Sequence, residues 1–399
     1  MKILYLHRIL SKDGMVVHLE ELIEALRTQG HEVVLVGPAS FAHAEFGHDP
    51  KLLTRIKRSI PKKAYEIVEC IYNVVAFVRL LSAYSKFQPD VVYERCNLYS
   101  FAGVLLKKLT RVPLILEVNA PLARERGNFG GLGFPGFAAA GERWTWRNAD
   151  IVLPVTAVLA AEIAEAGVTS DRLKVTPNAI DPGKFDTVRN SEAVREELGL
   201  ADKVVLGFVG FVRDWHGLDQ VIDLLARPDL PGNTHLMIVG EGPAIADLRS
   251  KAKRLGVEDR VIFAGLVARS KIAQIVAAFD IALVPKCVEY CSPLKLFEYM
   301  AAGKAILAPD QENIREIVTS GKSALLFRPD APGAMAEGIA ELVRNTALRG
   351  ELGREAQSLI SREGYTWRAN AERVSNFAAL LIEKRKAKSL PRGHLGQGR

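Results

Sequence analysis

Short apolar runs alternate with helix-like periodicity along most of this sequence, and this alternation restricts the fold more than any other feature. Runs of strand length lie at residues 2–7, 31–37, 90–95, 112–118 and 150–155, with helical patterns between them. The same rhythm begins again after about residue 200. Strands that alternate with helices form parallel sheets covered on both faces. The sequence therefore predicts an α/β protein with two Rossmann-like, doubly wound parallel-sheet domains.

Breaker residues mark the boundary between the two domains. Pro177, Asn178, Asp181, Pro182 and Gly183 crowd into a few positions, a composition typical of loops. We expect a first domain over 1–180, a second over 187–365, and a last helix over 366–388 that packs back on the first domain. The end of the chain, 389–399, holds Gly and Pro without an apolar pattern, so we expect a disordered basic tail there.

The composition is that of an ordinary globular protein: 399 residues, of which 48% are hydrophobic and 25% charged. The first strand contains His7 and Arg8, and no cleavage-site pattern follows it, so we predict a cytoplasmic chain. The most apolar segment, 64–84, carries three charged side chains and is not expected to span a membrane. Four cysteines without zinc-finger spacing predict a reducing compartment and no structural metal.

The net charge of +7 comes from two short segments. Six basic residues and no acid lie within 51–63, and six more follow the last acid, Glu383; without these twelve, 41 basic residues face 46 acidic ones. With 7% aromatic residues and no recognisable module, we expect no nucleic-acid binding. The basic patch at 51–63 fits an anionic membrane surface or a solvated helix face. The apolar positions that follow it at helical spacing fit membrane docking and core packing equally well: Ile67, Val68, Ile71, Val74, Val75 and Val78.

Candidate ligand-binding residues follow the strands of the second domain, where parallel sheets bind ligands. Ser292 and Pro293 fit the start of a helix, so we expect free backbone amides at 292–294. Lys295 then lies in the first turn, where the helix dipole disfavours a cation. A lysine at this position therefore indicates a bound polyanion beside it. A surface ion pair between Lys295 and Glu298 is the alternative.

Other loops also carry residues suited to phosphate contact. Arg213 can bind a diphosphate bidentately, and His216 precedes a glycine at a helix entrance. Gly14 leads into a helix whose amino end favours an anion. Gly240 begins a stretch similar to the dinucleotide fingerprint, but Ile245 stands at its third glycine. An NAD-dependent oxidoreductase is therefore a weaker alternative.

Read in order, these motifs resemble those of the large retaining glycosyltransferase family 4, and the resemblance covers nearly the whole chain. The stretches that carry it are VTPNAIDPGKF, IVGEGP, VIFAG and SPLKLFEYMAAGKAI. The resemblance implies a GT-B fold, in which two Rossmann-like domains face a central cleft. It also implies a nucleotide-diphosphate sugar on the carboxyl-terminal domain, an acceptor on the amino-terminal domain, and transfer without a metal ion or other cofactor.

By the same resemblance, Glu298 corresponds to the second glutamate of an E-x7-E motif and would hold the nucleotide ribose. Lys295 and Arg213 would clamp the diphosphate as catalytic groups, and Gly14 would close over the phosphates. Asn178 matches an asparagine just before the family's hinge. The remaining donor-binding candidates are His216, Gly240, Glu289, Tyr290, Ser292, Pro293 and Leu294.

Three positions depart from the family pattern. Tyr290 stands where the first glutamate of E-x7-E is expected, and Glu289 is one place early. The usual arginine and lysine of the phosphate loop are replaced by Phe211 and His216, so Arg213 and His216 would form a variant clamp. Asn119 replaces a frequent histidine. The predicted acceptor or sugar contacts are His18, Arg95, Glu117, Asn119 and Arg124; for His18 a half-buried structural role, and for Glu117 a buried paired acid, are the alternatives.

The sequence thus predicts a glycosyltransferase that moves a sugar from a UDP- or GDP-type donor, with retention and without metal. The acceptor would be lipid-linked or a glycan, in surface polysaccharide or glycoconjugate synthesis. The enzyme would be cytoplasmic and peripheral on the inner face of the cell membrane. The alternatives are a nucleotide-sugar 2-epimerase of the same architecture and a nucleotide-sugar-binding subunit that has lost transfer, which Tyr290 and Asn119 permit.

Overall fold

A computed structural model of the chain describes residues 1–9, 14–38, 60–186 and 191–389. Within these ranges the chain forms two parallel sheets with helices on both faces, which confirms the predicted α/β class. Most of the basic patch, 51–59, and the tail at 390–399 lie outside the described residues. The predicted tail disorder therefore stays a prediction.

The first sheet consists of β1 (Lys2–Leu6), β2 (Glu32–Val36), β3 (Val91–Arg95), β4 (Leu114–Val118) and β5 (Ile151–Pro154). All pairs are parallel, in the order β2-β1-β3-β4-β5. Successive side chains of β1 enter different cores: Ile3 and Tyr5 pack on one face, and Leu4 and Leu6 on the other. Because helices cover both faces, β4 is buried along its whole length.

The helices around this sheet are α1 (Gly14–Thr28), α2 (Lys62–Phe87), α3 (Ala102–Thr110), α4 (Leu122–Phe129), α5 (Pro135–Asn148) and α6 (Ala157–Glu165). Thr156 caps α6, since its hydroxyl oxygen accepts the Leu159 N–H at 3.1 Å. A 3-10 turn (Ser170–Arg172) then leads towards the second sheet.

Within the described part of the chain, α2 is the one helix long and apolar enough to cross a membrane. It nevertheless packs against α3, β1 and β2. Its Glu66 carboxylate is buried and accepts the backbone amides of Gly133 and Phe134 at 2.6 and 2.9 Å. These contacts make α2 part of the first domain.

The second sheet consists of β6 (Val204–Val209), β7 (Thr234–Val239), β8 (Val261–Gly265), β9 (Ile281–Leu283), β10 (Ala305–Pro309) and β11 (Leu325–Phe327). Its order is β11-β10-β9-β6-β7-β8, again with parallel pairs. The chain therefore reverses direction across the sheet between β6 and β9. Ligands of open α/β sheets bind at such a reversal, beyond the carboxyl ends of the strands.

The helices of this half are α7 (Gly183–Asp186), α8 (Ser191–Glu197), α9 (Leu218–Leu225), α10 (Ile245–Arg254), α11 (Arg269–Ala277), α12 (Leu294–Ala301), α13 (Glu312–Arg315), α14 (Ala334–Arg344) and α15 (Thr346–Arg362). Two 3-10 turns, Asp214–His216 and Glu258–Arg260, complete it.

The last helix, α16 (Trp367–Ser389), returns to the first sheet. Trp367, Ala371 and Val374 share a core with Ile3 and Tyr5 of β1, and α16 packs on α1. The chain passes between the two halves twice, near Ile180 and near 365–367, and these two segments lie side by side. They are joined by backbone hydrogen bonds between Ile180 and 365–367, at 3.1 and 3.2 Å.

Candidate active site

Two glycines allow the loops that follow β6 and β7 to come close together at the candidate site. Gly210 and Gly240 have φ angles of 140° and 124°. A Cβ on Gly240 would lie 2.1 Å from the Gly210 carbonyl oxygen. Glycine alone fits such an approach, so the predicted contact residue Gly240 acts through its backbone, which lets the loops after β6 and β7 meet.

Lys295, in the first turn of α12, lies beside the end of β6. Its Nζ is 3.7 Å from the centre of the Phe208 ring, and a Cβ on Gly210 would be 3.2 Å from Nζ. Burial lowers the pKa of the ammonium to about 8. No acid within the described ranges lies within the 4.0 Å of Nζ that an ion pair requires. The alternative of a surface ion pair with Glu298 is therefore wrong, and a desolvated cation is left without an anion.

Glu298 follows Lys295 by three residues on α12 and is half-buried. Burial raises the pKa of its carboxyl group, and the charges of Lys295 and Arg269 partly oppose this rise. A carboxylate accepts several hydrogen bonds. The arrangement suits the recognition of neighbouring hydroxyl groups next to a bound anion.

The loop after β6 carries Arg213 and His216. The buried His216 accepts the backbone N–H of Arg213 on its Nδ1 at 3.1 Å. Burial, with the charges of Lys295 and Arg213, lowers the pKa of His216 to about 3. His216 therefore adds no charge to the expected clamp; it holds the shape of the loop. The exposed Arg213 guanidinium lies 5.0 Å from the centre of the Phe211 ring and pairs with no acid among the described residues.

The structure corrects the expected start of α12. The helix begins at Leu294 with Pro293 as its capping residue, and no side chain caps it. Ser292 instead accepts the backbone N–H of Asn178 on its hydroxyl at 3.0 Å, and its carbonyl accepts the Asn178 side-chain amide at 2.5 Å. The expected row of free amides at 292–294 is interrupted at its middle position, because Pro293 has no N–H. These bonds fix the hinge to the loop before α12.

Tyr290 lies between the two halves of the molecule. Its ring is buried against the core of the first half, 5.2 Å from the guanidinium carbon of Arg124. The hydroxyl of Thr156 donates to the Tyr290 carbonyl oxygen at 3.0 Å. Glu289, next to it, is exposed to solvent. The residue at the position of the expected glutamate therefore contacts the other domain, and a donor contact by either side chain stays a prediction.

Three of the acceptor-side candidates, His18, Arg95 and Asn119, meet around the buried carboxylate of a fourth, Glu117. Its oxygens lie 2.9 Å from His18 Nε2 and accept the Tyr93 hydroxyl at 2.6 Å. Arg95 donates to the carboxylate at 2.5 Å, and the Asn119 amide donates to the same oxygen as Arg95. Burial by itself would raise the pKa of Glu117, but these neighbours hold it well below its ordinary range. Glu117 is therefore a buried, paired acid that positions the residues around it.

His18 extends this network to the hinge. Its Nδ1 lies 2.7 Å from the side-chain oxygen of Asn178, and its ring contacts Trp367 edge-on at 4.8 Å. Both ring nitrogens are thus used by the protein, which fits the structural alternative. Arg124 stays apart from the cluster and pairs with Glu162 at 3.0 Å. Gly14 is the first residue of α1, and the residues before it, 10–13, lie outside the described ranges.

Two family models match the chain. The model for Glycosyltransferase Family 4 matches 12–184, and the model for Glycosyl transferases group 1 matches 203–345. The chain belongs to these glycosyltransferases. The first matched segment contains β2–β5 of the first sheet, and the second contains the whole second sheet of the enzyme.

Relatives of this glycosyltransferase match it over most of their length. An uncharacterized glycosyltransferase of Methanocaldococcus jannaschii is 24% identical over 93% of this chain and 95% of its own. A GDP-mannose-dependent alpha-mannosyltransferase of Mycobacterium tuberculosis is 27% identical over 84% and 87%. The solved structure of Anabaena Alr3699/HepE in complex with UDP has a TM-score of 0.75 at 20% identity, covering 95% of this chain and 100% of that one. The predicted GT-B fold is confirmed.

Sequence reasoning missed the acids that fasten the two domains of the glycosyltransferase together. Glu316, after α13, accepts the amides of Ala157 and Val158 at 2.7 and 3.2 Å and so caps α6 of the other domain. Glu21 of α1 pairs with Arg269 of α11. No local pattern marks these acids, because their partners lie 159 and 248 residues away along the chain.

Proposed function

We propose that this glycosyltransferase transfers a sugar from a UDP- or GDP-type donor to a lipid-linked or glycan acceptor, in surface polysaccharide or glycoconjugate synthesis. One observation carries the proposal: two cations at the strand-order reversal, Lys295 and Arg213, have no acidic partner among the described residues. Fixed cations of this kind suit a diphosphate. The Anabaena structure holds UDP and the mycobacterial relative depends on GDP-mannose, so both bases enter the test.

The chemistry follows from the charge that develops as the donor breaks. When the bond between sugar and diphosphate is cleaved, negative charge grows on the leaving phosphate oxygens, and preorganised cations stabilise it. Lys295 and Arg213 take this role, and Glu298 accepts the ribose hydroxyls. Because the chain's own cations supply the charge, we expect transfer without a metal ion. We expect retention, with the acceptor hydroxyl entering on the face that the diphosphate leaves.

The donor is tested by thermal unfolding with UDP, GDP, ADP and TDP and their common sugars, in the presence of a chelator. A ligand at about 100 times its Kd stabilises a protein by about 2.7 kcal/mol, which is easily seen. We expect one nucleotide class to raise the Tm of the wild type, and Glu298→Ala to lose most of the rise. No rise with any of these ligands would contradict the proposal.

Transfer is tested with the donor that binds, again with chelator, by following the anomeric configuration of the product by NMR. Retained configuration supports the proposal, and inverted configuration or a metal requirement contradicts that part of it. Epimerised free donor in the absence of acceptor would favour the 2-epimerase. Donor binding without transfer to any lipid-linked or glycan acceptor would favour the binding subunit.

We also propose that the enzyme docks on an anionic membrane through α2. A lipid-linked acceptor would lie in that membrane. The side chains of one stripe along this helix are 44–66% exposed: Ile67, Val68, Ile71, Val74, Val75 and Val78. Lys62 and Lys63 begin the helix, and the sequence places four more basic residues within 51–58, outside the described ranges. Exposed apolar side chains beside basic ones suit insertion among anionic headgroups.

Cosedimentation with phosphatidylcholine vesicles, with and without phosphatidylglycerol, tests this docking. We expect the wild type to sediment with the anionic vesicles and Ile71→Glu/Val74→Glu to stay in solution. Leu109→Glu is the matched control, because Leu109 is 64% exposed on the neighbouring α3, and it should bind like the wild type. A wild type that ignores anionic vesicles would contradict the docking and leave the donor proposal standing.

A further inference from the structure

Two cysteines that the transfer chemistry does not use lie in the loop between β9 and α12. The Sγ atoms of Cys287 and Cys291 are 2.9 Å apart, and both are free thiols. The turn between them is closed by the Cys291 N–H, which donates to the Val288 carbonyl oxygen at 3.3 Å. The two remaining cysteines lie elsewhere: Cys70 is in α2, and Cys96 follows β3. The turn over residues 287–291 therefore brings these two thiols together.

Two amide side chains hold the turn from one side. Asn313 donates to the carbonyl oxygens of Val288 and Cys291 at 3.1 and 2.7 Å. Gln311 donates to the carbonyl oxygen of Cys287 at 3.3 Å. Because the backbone is fixed at both cysteines, the thiols stay opposite each other. Cys287 is buried and Cys291 is half-buried, so we expect a small oxidant to approach from the side of Cys291 and to reach the Cys287 sulfur, 2.9 Å from that of Cys291.

We propose that Cys287 and Cys291 form a reversible disulfide when the protein meets a peroxide, and that this disulfide weakens donor binding. The effect on the donor rests on the proposed function, whereas formation of the bond does not. A disulfide places its sulfurs about 2.0 Å apart, so the two Sγ atoms, now 2.9 Å apart, need to approach by roughly 1 Å. In a reducing compartment such bonds are transient and serve redox sensing.

The sulfurs supply two electrons and the peroxide takes them. The Cys287 thiolate attacks one oxygen of hydrogen peroxide, the O–O bond breaks, and the other oxygen leaves as hydroxide and becomes water on protonation. The Cys291 sulfur then attacks the sulfenic acid, the S–S bond forms, and the hydroxyl leaves with the Cys291 proton as a second water. The hydrogen bond from Cys291 and the charge of Lys295 lower the pKa of the Cys287 thiol, which favours it as the attacking sulfur.

The turn contacts the other domain and leads into the helix that carries Lys295. The carbonyl of Tyr290, within the turn, accepts the Thr156 hydroxyl of the other domain. Lys295 follows Cys291 by four residues on the adjoining helix. Closing the S–S bond draws the ends of the turn together and shifts the start of α12. Because this shift moves the Lys295 ammonium away from its place beside β6, we expect donor binding to weaken by about tenfold, which corresponds to about 1.4 kcal/mol.

Mass spectrometry can detect the bond directly. Trypsin cuts after Lys286 and Lys295 and so releases both cysteines in one peptide, 287–295. The protein is treated with hydrogen peroxide, and a portion of it is then reduced with dithiothreitol. Both samples are alkylated and digested with trypsin. In the oxidised sample we expect the peptide to lack two hydrogen atoms and to carry no alkyl group. After reduction it should carry two.

The same samples are titrated with UDP and with GDP by calorimetry. We expect peroxide to weaken binding by about tenfold and dithiothreitol to restore it. Cys287→Ser/Cys291→Ser should keep its affinity in peroxide, and Cys70→Ser, the control for unrelated thiol oxidation, should remain sensitive.

Each outcome decides one part of the proposal. A peptide that stays fully alkylated after peroxide overturns the modification site. A disulfide without a change in affinity, or an equal loss of affinity in the double variant, overturns the effect on the donor. If the reduced protein binds neither UDP nor GDP, the proposed function fails, while the peptide mass still decides whether the disulfide forms.

Discussion

Lys295→Met is the sharpest test of the donor site, because it keeps the apolar stem of the side chain and removes its charge. In the protein, Nζ lies over Phe208 and has no acidic partner within the described ranges. The substitution therefore removes a contact to the ligand and breaks no internal ion pair. A hydrogen bond to a charged group contributes about 1.5–3 kcal/mol, so the Kd for the nucleoside diphosphate should rise about 10- to 150-fold.

The wild-type affinity should also depend on pH in one direction. Burial sets the pKa of Lys295 at about 8 in the free protein, so the amine is charged below this pH and neutral above it. The diphosphate binds the charged form. The affinity should therefore be constant below pH 8 and fall by up to about tenfold per pH unit above it. In Lys295→Met this fall should disappear.

Lys304→Met provides the matched control. Burial lowers the pKa of Lys304 to about 8 as well, but its Nζ donates to the Ala277 carbonyl oxygen at 2.6 Å. This variant should bind the ligand like the wild type. Calorimetric titration with UDP and GDP between about pH 6.5 and 9.5 measures both effects. Equal losses in the two variants, or a wild-type affinity that is flat across this range, would refute the role given to Lys295.

Three further predictions concern the frame around the site. Glu117→Gln leaves the largely buried Arg95 guanidinium without its ion-pair partner and should cost about 3–5 kcal/mol in urea unfolding. Because the pKa of Glu117 is lower in the folded than in the unfolded protein, its carboxylate contributes to the free energy of unfolding above the unfolded-state pKa of about 4.3. This contribution is lost as the pH falls below that value. The variant should not show this loss. Gly240→Ala drives a methyl group into the Gly210 carbonyl and should lower the Tm, whereas Gly232→Ala, with open space around its Cβ, should not. Glu316→Ala should cost about 0.5–2 kcal/mol and speed amide exchange at the start of α6, and unchanged exchange there would contradict the capping.

The sheets and the site loops could be predicted from the sequence because their signals are local. Buried parallel strands are continuous apolar runs, and the polar residues that follow them must lie at one edge of the sheet. This reasoning places Lys295 and Arg213 in loops that follow strands of the second sheet, and the structure shows that these strands, β9 and β6, are neighbours. It required no knowledge of how the two domains meet.

What could not be predicted from the sequence are contacts between distant parts of the chain. Ser292 looks like a helix cap, but it bonds to Asn178, 114 residues earlier. His216 looks like a cation, but burial beside Lys295 keeps it neutral. Tyr290 stands at the position of an expected donor contact, and its packing on the other domain could not be predicted from the sequence; a donor contact by its side chain stays a prediction. In each case the residue type predicts what the side chain can do, and tertiary packing decides which partner it finds.

The position of α16 has a consequence for how the protein is synthesised. The amino-terminal domain leaves the ribosome first, yet its core on the α1 side is completed by Trp367, Ala371 and Val374, near the end of the chain. At roughly 5–20 residues per second, the wait between α6 and α16 is on the order of ten seconds or more. During this time the apolar face of α1 is open to chaperones and to aggregation. The domain that is made first is therefore completed last.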